Sequence, residues 1–336
     1  MGAGLSSRRR RALVGRVTAV AIAFLAVGVV GQPSAVGRTT PSATTLTCGG
    51  EVPLPKPGGG TWSCTFDDEF SQDTSLNPVW TPVLSSQTGV ATGTAPYRAC
   101  YVNTPDNVSV NHGRLQLTVR REKQPFTCNM GINPSFTTYY TVGAVSTVGT
   151  FGRMYGRFEV RAKLPDTAIK GLQETLWLWP TNDVKYAAYG PAWAEPTGEI
   201  DFGEFYSAVA NYDIPYLHYY LDSSTINVST GTNVYTPFQP PYNEPGTSCT
   251  FDYTTWNTFS VVWQPGRLSL YADSQLCLVD NYVPAGGPSS PAPFDQPFFI
   301  ALSQALGVKV TGSDNATTAQ TPIPSSTLVS YVRVWK

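Results

Sequence analysis

The chain has 336 residues, of which 41% are hydrophobic, 12% aromatic and only 13% charged, with a formal net charge of −1. Globular proteins average about 25% charged residues, so this composition excludes a coiled coil and a charged disordered chain. Gly (30) and Pro (28) make 58 of 336 residues, about 17% and below the ~25–30% of low-complexity chains, which points to a compact, turn-rich β protein.

The N-terminus reads as an export signal. Arg8, Arg9, Arg10, Arg11 and Arg16 form a basic region, followed by an uncharged apolar run over residues 17–30. That run is short for a membrane span, which needs about 20 residues. A retained anchor is the alternative, and the paired arginines also suit a twin-arginine export route. The leader is assigned to residues 1–37, with cleavage expected between Ala35 and Ala43. No Asp or Glu precedes Glu51, so removing five arginines takes the charge from −1 to −6. A mildly acidic chain without a basic tract excludes a nucleic-acid binder. Six cysteines (Cys48, Cys64, Cys100, Cys128, Cys249, Cys277) show no C-x-x-C and no metal-ligand spacing, and His112 and His218 are the only histidines. Disulfides are therefore expected rather than zinc. Six cysteines allow 15 pairings; joining sequence neighbours is the simplest.

Residues 38–60, rich in Thr, Pro and Gly, read as a linker or arm, and residues 61–336 as a single domain. Asn107 to Arg120 is a predicted hairpin: Val108 and Val110, then Leu115, Leu117 and Val119, around Asn111-His112-Gly113. Arg157 to Leu164 alternates polar and apolar residues strictly, as a half-buried antiparallel strand does. Phe259, Val261 and Trp263, then Leu268 and Leu270, flank Gln264-Pro265-Gly266-Arg267, whose Pro-Gly suits a type II turn. A last strand runs from Leu328 to Trp335. No sustained helical period follows the leader, so the expected fold is an all-β sandwich.

One segment stands apart: Gly198-Glu199-Ile200-Asp201-Phe202-Gly203-Glu204-Phe205-Tyr206. Residues i and i+2 of a strand share a face, so Glu199 and Asp201 point together. Glu204, five residues from Glu199, would face away on a regular strand, and one bulged residue restores its phase, with Gly203 the natural place. Crowded carboxylates raise one another's pKa, an arrangement stability alone does not favour. Retaining glycoside hydrolysis requires it, with a carboxylate nucleophile and a protonated acid about 5–5.5 Å apart. Calcium ligation and a plain charged surface strand are the alternatives. Calcium loops favour Gly- and Asn-rich oxygen ligands, whereas Ile200, Phe202 and Phe205 want burial.

This motif resembles the E-x-D-x-x-E signature of glycoside hydrolase family 16 in its bulged form, the laminarinase-like branch that also holds agarases and carrageenases. The resemblance spans about residues 62–336. Phe66-Asp67-Asp68-Glu69-Phe70 is similar to the family's opening segment, and Asn107 to Leu115 to its early hairpin. Tyr155 to Pro165, Leu176-Trp177-Leu178-Trp179-Pro180, Trp256 to Asp273 and Tyr331 to Trp335 resemble later strands. The resemblance implies a concanavalin-like β-jelly-roll sandwich of two curved antiparallel sheets with the acids on the concave face. It implies Glu199 as nucleophile, Glu204 as acid/base and Asp201 as assisting carboxylate. It further implies substrate-binding roles for Trp193, His218, Tyr101, Asn103, Trp179 and Tyr206, each weighed against ordinary packing, with Trp177 assigned to the core.

Three departures stand out. Trp193 lies one residue further from the motif than usual. Gly171-Leu172-Gln173-Glu174-Thr175 lacks the Trp-Pro of laminarinases, and Ser330 stands where an Asp often helps bind structural calcium. Glu69 is then the one weak calcium candidate, and no cofactor is expected. The implied protein is a secreted, monomeric, endo-acting retaining β-glycanase, acting on β-1,3-glucan, with no membrane contact once the signal is removed. The alternatives are a galactan hydrolase, a transglycosylase and a non-catalytic lectin. Asn107, Asn227 and Asn315 head sequons, relevant only in a glycosylating host.

Overall fold

Strict two-residue alternation builds two stacked sheets in the computed structural model, which describes residues 47–50, 54–71, 75–186, 198–219, 243–245, 249–282, 291–310 and 313–336. The expected leader and Trp193 lie outside them. The strands in chain order are β1 (Cys64–Asp68), β2 (Thr81–Pro82), β3 (Ala91–Thr92), β4 (Ala99–Tyr101), β5 (Val108–Val110), β6 (Leu115–Met130) and β7 (Asn133–Val142). Then come β8 (Ala144–Ser146), β9 (Gly156–Lys163), β10 (Leu172–Pro180), β11 (Glu199–Tyr206), β12 (Tyr216–His218) and β13 (Asn243–Pro245). The last are β14 (Asn257–Gln264), β15 (Arg267–Ala272), β16 (Gln275–Asp280), β17 (Phe298–Leu306), β18 (Lys309–Val310), β19 (Ser313–Asp314) and β20 (Ser325–Trp335).

Among the described residues, the larger sheet runs β13-β16-β15-β14-β9-β20-β6-β7-β4-β3, with β1 on β20 and β5 on β6. The smaller sheet runs β12-β11-β10-β17-β8-β2. Pairing is antiparallel except between β4 and β7, which are parallel. The core lies between the sheets: Phe158, Val160, Phe259, Val261, Trp263 and Leu270 from the larger meet Leu176, Leu178, Ile200, Phe202, Ile300 and Leu302 from the smaller. This is the jelly-roll sandwich expected. No helix among the described residues is long and apolar enough to cross a membrane.

The predicted hairpins form with chemistry suited to their turns. His112 and Gly113 both take positive φ (52° and 69°), as a two-residue hairpin loop requires. Gly266, at φ 74°, closes the β14–β15 turn, and its N–H donates to the Tyr282 hydroxyl at 2.8 Å. The arm expected over residues 38–60 is, where described, stapled down rather than free. Cys48 bonds Cys64 and packs with Trp62, Val262 and Trp335. The other disulfides join Cys100 to Cys128 and Cys249 to Cys277, so all three pairings join sequence neighbours.

Two sequons are structural. The Asn107 amide donates to the Thr118 carbonyl and the Thr141 hydroxyl, both at 3.0 Å. Asn315, fully buried, accepts the N–H groups of Gly171 and Ala208 at 3.1 Å and donates to the Leu172 carbonyl at 2.7 Å. It thus ties the start of β10 to the turn after β11. Asn227 lies outside the described residues.

The core also holds carboxyl groups with no cationic partner among the described residues. Glu174 accepts from Gln304 at 2.7 Å, and Gln304 accepts from Thr327 at 2.8 Å. Burial pushes Glu174 up to about 8, against the pull of Gln304. Burial likewise pushes Asp280 up to about 7, against the hydrogen bond from Tyr219. Both folded values exceed the ordinary 4.5 and 3.8, so both groups favour the fold at low pH and lose that contribution as pH rises through 7 and 8.

Two predictions follow from these buried groups. Asn315→Ala leaves the buried Gly171 N–H and the half-buried Ala208 N–H unpaired and lowers stability by about 3 kcal/mol in urea unfolding. Stability of the wild type declines between about pH 5 and pH 9, and Glu174→Gln, which keeps the acceptor for Gln304, makes that decline shallower; urea midpoints across the range measure it.

Candidate active site

Strand β11 carries the acids because its apolar residues have only one way to point. Ile200, Phe202 and Phe205 are almost wholly buried in the core. The register with β10 pairs Leu178 with Ile200 and Trp177 with Asp201, then skips to Leu176 with Gly203. Phe202 is therefore the extra residue of a bulge, and the bulge falls at Phe202–Gly203 as the motif predicted. A Cβ on Gly203 would lie 2.8 Å from the tip of the Phe205 ring and 3.1 Å from a Leu176 methyl. Gly203 thus faces the packed core beside Phe202, and Glu199, Asp201 and Glu204 share the outward face of the smaller sheet.

The three carboxyls are coupled. Asp201, 3% exposed, is hydrogen-bonded to Glu199. Burial first, and the charge of Glu204 second, hold Asp201 well above the ordinary carboxyl range, while the bond to Glu199 works against them. A carboxyl–carboxylate hydrogen bond needs one proton between the pair, so Glu199 and Asp201 share a proton rather than ionising independently. Glu204, 8% exposed, receives two donors on one oxygen: Gln173 Nε2 at 2.7 Å and the Tyr206 hydroxyl at 2.6 Å. Burial and then the charge of Glu204 raise the pKa of Tyr206, which keeps its proton in place to donate.

Around the acids, β10 presents Gln173, Thr175, Trp177 and Trp179 outward, all half-buried at alternate positions. Trp177, expected in the core, is instead opposite Asp201. It meets Trp179 edge-on at 5.8 Å between ring centres. Two-residue alternation places 177 with 179, and the apolar partners Leu176 and Leu178 take the inward positions. Tyr206 is beside Glu204 as described, and His218 stands opposite Glu199 in register, with Tyr216 opposite Asp201. Trp193 lies outside the described residues. Tyr101 is drawn into packing: it is 9% exposed in a satellite cluster with Leu172 and Leu306, and burial pushes its phenol up to about 12. Asn103 is exposed in the loop after β4.

Glu69 is committed elsewhere. Its Oε1 accepts from Arg333 Nε at 2.7 Å, and Arg333 also stands 3.8 Å from Asp67. Asp68 is taken by the Phe70 N–H and the Trp80 indole, each at 2.8 Å. The Arg333 guanidinium is thus the cationic partner that Glu69 and Asp67 have in this structure. Among the described residues no group of three or more His, Cys, Asp or Glu is placed to hold a metal ion.

Gln173 was legible in sequence only as a departure, although its i+2 spacing to Thr175 and Trp177 marks the shared face. Asp213 gave no sequence signal at all. It lies nine residues beyond Glu204, is fully buried, and accepts the Glu204 N–H at 3.1 Å.

The sequence model of glycosyl hydrolases family 16 matches residues 97–319. A glucan endo-1,3-β-glucosidase A1 from Niallia circulans is 29% identical over 70% of this chain and 32% of its own length. A keratan-sulfate endo-1,4-β-galactosidase from Sphingobacterium multivorum is 29% identical over 59% of this chain and 40% of its own. The chain thus spans about a third of the first relative and two fifths of the second. Among solved structures, a non-specific endo-β-1,3(4)-glucanase superposes with TM-score 0.62 at 23% identity, covering 85% of this chain and 94% of that one, a likeness of fold.

The bulge has a direct test. Gly203→Ala forces a methyl against the Phe205 ring and costs about 1–3 kcal/mol, measured by urea denaturation.

Proposed function

The chain belongs to glycosyl hydrolases family 16, and from that premise we propose that it is a secreted, endo-acting β-glycanase that cleaves β-1,3-glucan with retention of configuration. The observation that carries this reading is the bulged strand, which turns Glu199, Asp201 and Glu204 to one face, opposite three apolar neighbours buried in the core. Glu199, as the carboxylate, attacks the anomeric carbon. Glu204 gives its proton to the departing glycosidic oxygen as that bond breaks, leaving a glycosyl ester on Glu199. Water then attacks the same carbon, Glu204 takes its proton, and Glu199 departs. Gln173 and Tyr206 hold one oxygen of Glu204 throughout. No step calls for a metal.

The paired indoles of Trp177 and Trp179 offer faces for sugar stacking, and Trp193 and His218 are further subsite candidates. The β-1,3-glucan assignment is supported by the relative from Niallia circulans. A galactan substrate is the second reading, favoured by the equally similar galactosidase from Sphingobacterium multivorum. A lectin has no use for a proton donor beside a nucleophile. Export is supported by the basic and apolar leader and by three disulfides. A monomer is proposed.

The test is product release from laminarin, mixed-linkage glucan, xyloglucan, agarose and carrageenan. Oligosaccharides are expected from laminarin, with β-configured new ends by NMR, and Glu199→Ala is expected to lose at least about 1,000-fold in kcat, as loss of a covalent catalyst does. Release from agarose alone would replace the substrate. Binding without release, unchanged by Glu199→Ala, would leave a lectin.

A further inference from the structure

Beyond Asp201, β11 has no strand on its outer side among the described residues, because β12 pairs only with Glu199, Ile200 and Asp201. The main chain of Glu204 is satisfied differently. Its carbonyl accepts from the Ile214 N–H at 2.9 Å, and its N–H donates to Asp213 Oδ1 at 3.1 Å. A side chain thus stands in for the missing strand at the residue assigned as acid/base. Asp213 is itself anchored: its N–H donates to the Cys249 carbonyl at 2.9 Å, and Phe251 N–H donates to the Asn211 carbonyl at 3.1 Å. Cys249 is bonded to Cys277 of β16, which ties this clamp to the larger sheet.

The other oxygen of Asp213, Oδ2, is buried and has no hydrogen-bond partner among the described residues. A carboxyl chosen for folding alone would pair both oxygens or be replaced by an apolar residue. Burial, and to a lesser degree the charge of Glu204, hold Asp213 well above the ordinary range, against the bond from the Glu204 N–H. Burial thus favours its neutral form, in which a carboxyl oxygen can still accept the Glu204 N–H.

We propose that Asp213 is a positioning residue that fixes the main chain of Glu204, through a side-chain bond in place of a strand partner, so that the Glu204 carboxyl meets the departing glycosidic oxygen. This rests on the acid/base role of Glu204. General-acid placement matters only when the leaving group needs a proton. The effect of Asp213 therefore depends on the leaving group, whereas a merely structural residue affects all substrates alike.

The test compares kcat/KM on laminarin with kcat/KM on a 2,4-dinitrophenyl glycoside of a β-1,3-linked glucose disaccharide, whose phenolate leaves unprotonated. Asp213→Ala is expected to lose about 10–100-fold on laminarin, the scale of a misplaced catalytic group, and to stay near wild type on the aryl glycoside. Asp213→Asn, whose amide oxygen still accepts the Glu204 N–H, is expected to restore laminarin activity. Should Asp213→Ala not fold, Asp213→Ser, which is too short to reach that N–H, is measured in the same way. Parallel losses on both substrates, unchanged laminarin activity in the truncated variant, or an Asn variant as impaired as the truncation would each overturn the proposal. Glu204→Gln is the control: if it shows no leaving-group dependence, the acid/base reading fails and takes the proposal with it. A selective loss in Glu204→Gln together with parallel losses in Asp213→Ala overturns the role of Asp213 alone.

Discussion

An extended strand alternates its side chains with a period of two, so residues five apart face opposite ways unless the chain gains a residue between them. In β11 that residue is Phe202, and the candidate site depends on it. Without the bulge, Glu204 would point into the core and Phe205 would point into solvent. With it, Phe202 and Gly203 both turn inward, and packing against Phe205 and Leu176 leaves no space for a side chain on Gly203. The register is thus held from the core side, by apolar burial, while the chemistry is presented on the other face.

The neighbours of β11 then decide what each acid can do. On one side β10 supplies Gln173 to Glu204 and sets Trp177 opposite Asp201. On the other, β12 reaches only as far as Asp201, and the chain beyond it returns to close on Glu204 through residues 213 and 214. The site sits where one strand has a full ladder on one edge and a partial one on the other. Asn315 secures the far end of this arrangement by joining the start of β10 to the turn after β11.

Buried acids recur in this protein. Glu174, Asp213 and Asp280 are all enclosed with neutral hydrogen-bond partners. Burial disfavours their charged forms, so each raises its own pKa rather than demanding a cation. On the outer face of the larger sheet the opposite solution appears, with Glu69 and Asp67 facing Arg333. There too the disulfide-bonded arm at Cys48 covers Val262 and Trp335, apolar residues that would otherwise face water.

Local pattern determined much of this in the sequence alone. Two-residue alternation marked β9, β14, β15 and β20 and the hairpin into β6, and Pro-Gly and His-Gly marked two turns. Charge poverty made the three acids of β11 conspicuous, and the five-residue spacing of Glu199 and Glu204, with Gly203 between them, located the bulge. Tertiary structure decided what depends on partners distant in the chain. Trp177 faces outward because its neighbours Leu176 and Leu178 claimed the core, and Tyr101 is enclosed by Leu172 and Leu306, which lie far along the chain. Glu69 is taken by Arg333, 264 residues away. Asp213 has no pattern to betray it, since its role comes from a turn that folds back on Glu204. Periodicity is a property of neighbours along the chain, whereas burial and hydrogen bonding are settled by neighbours in space.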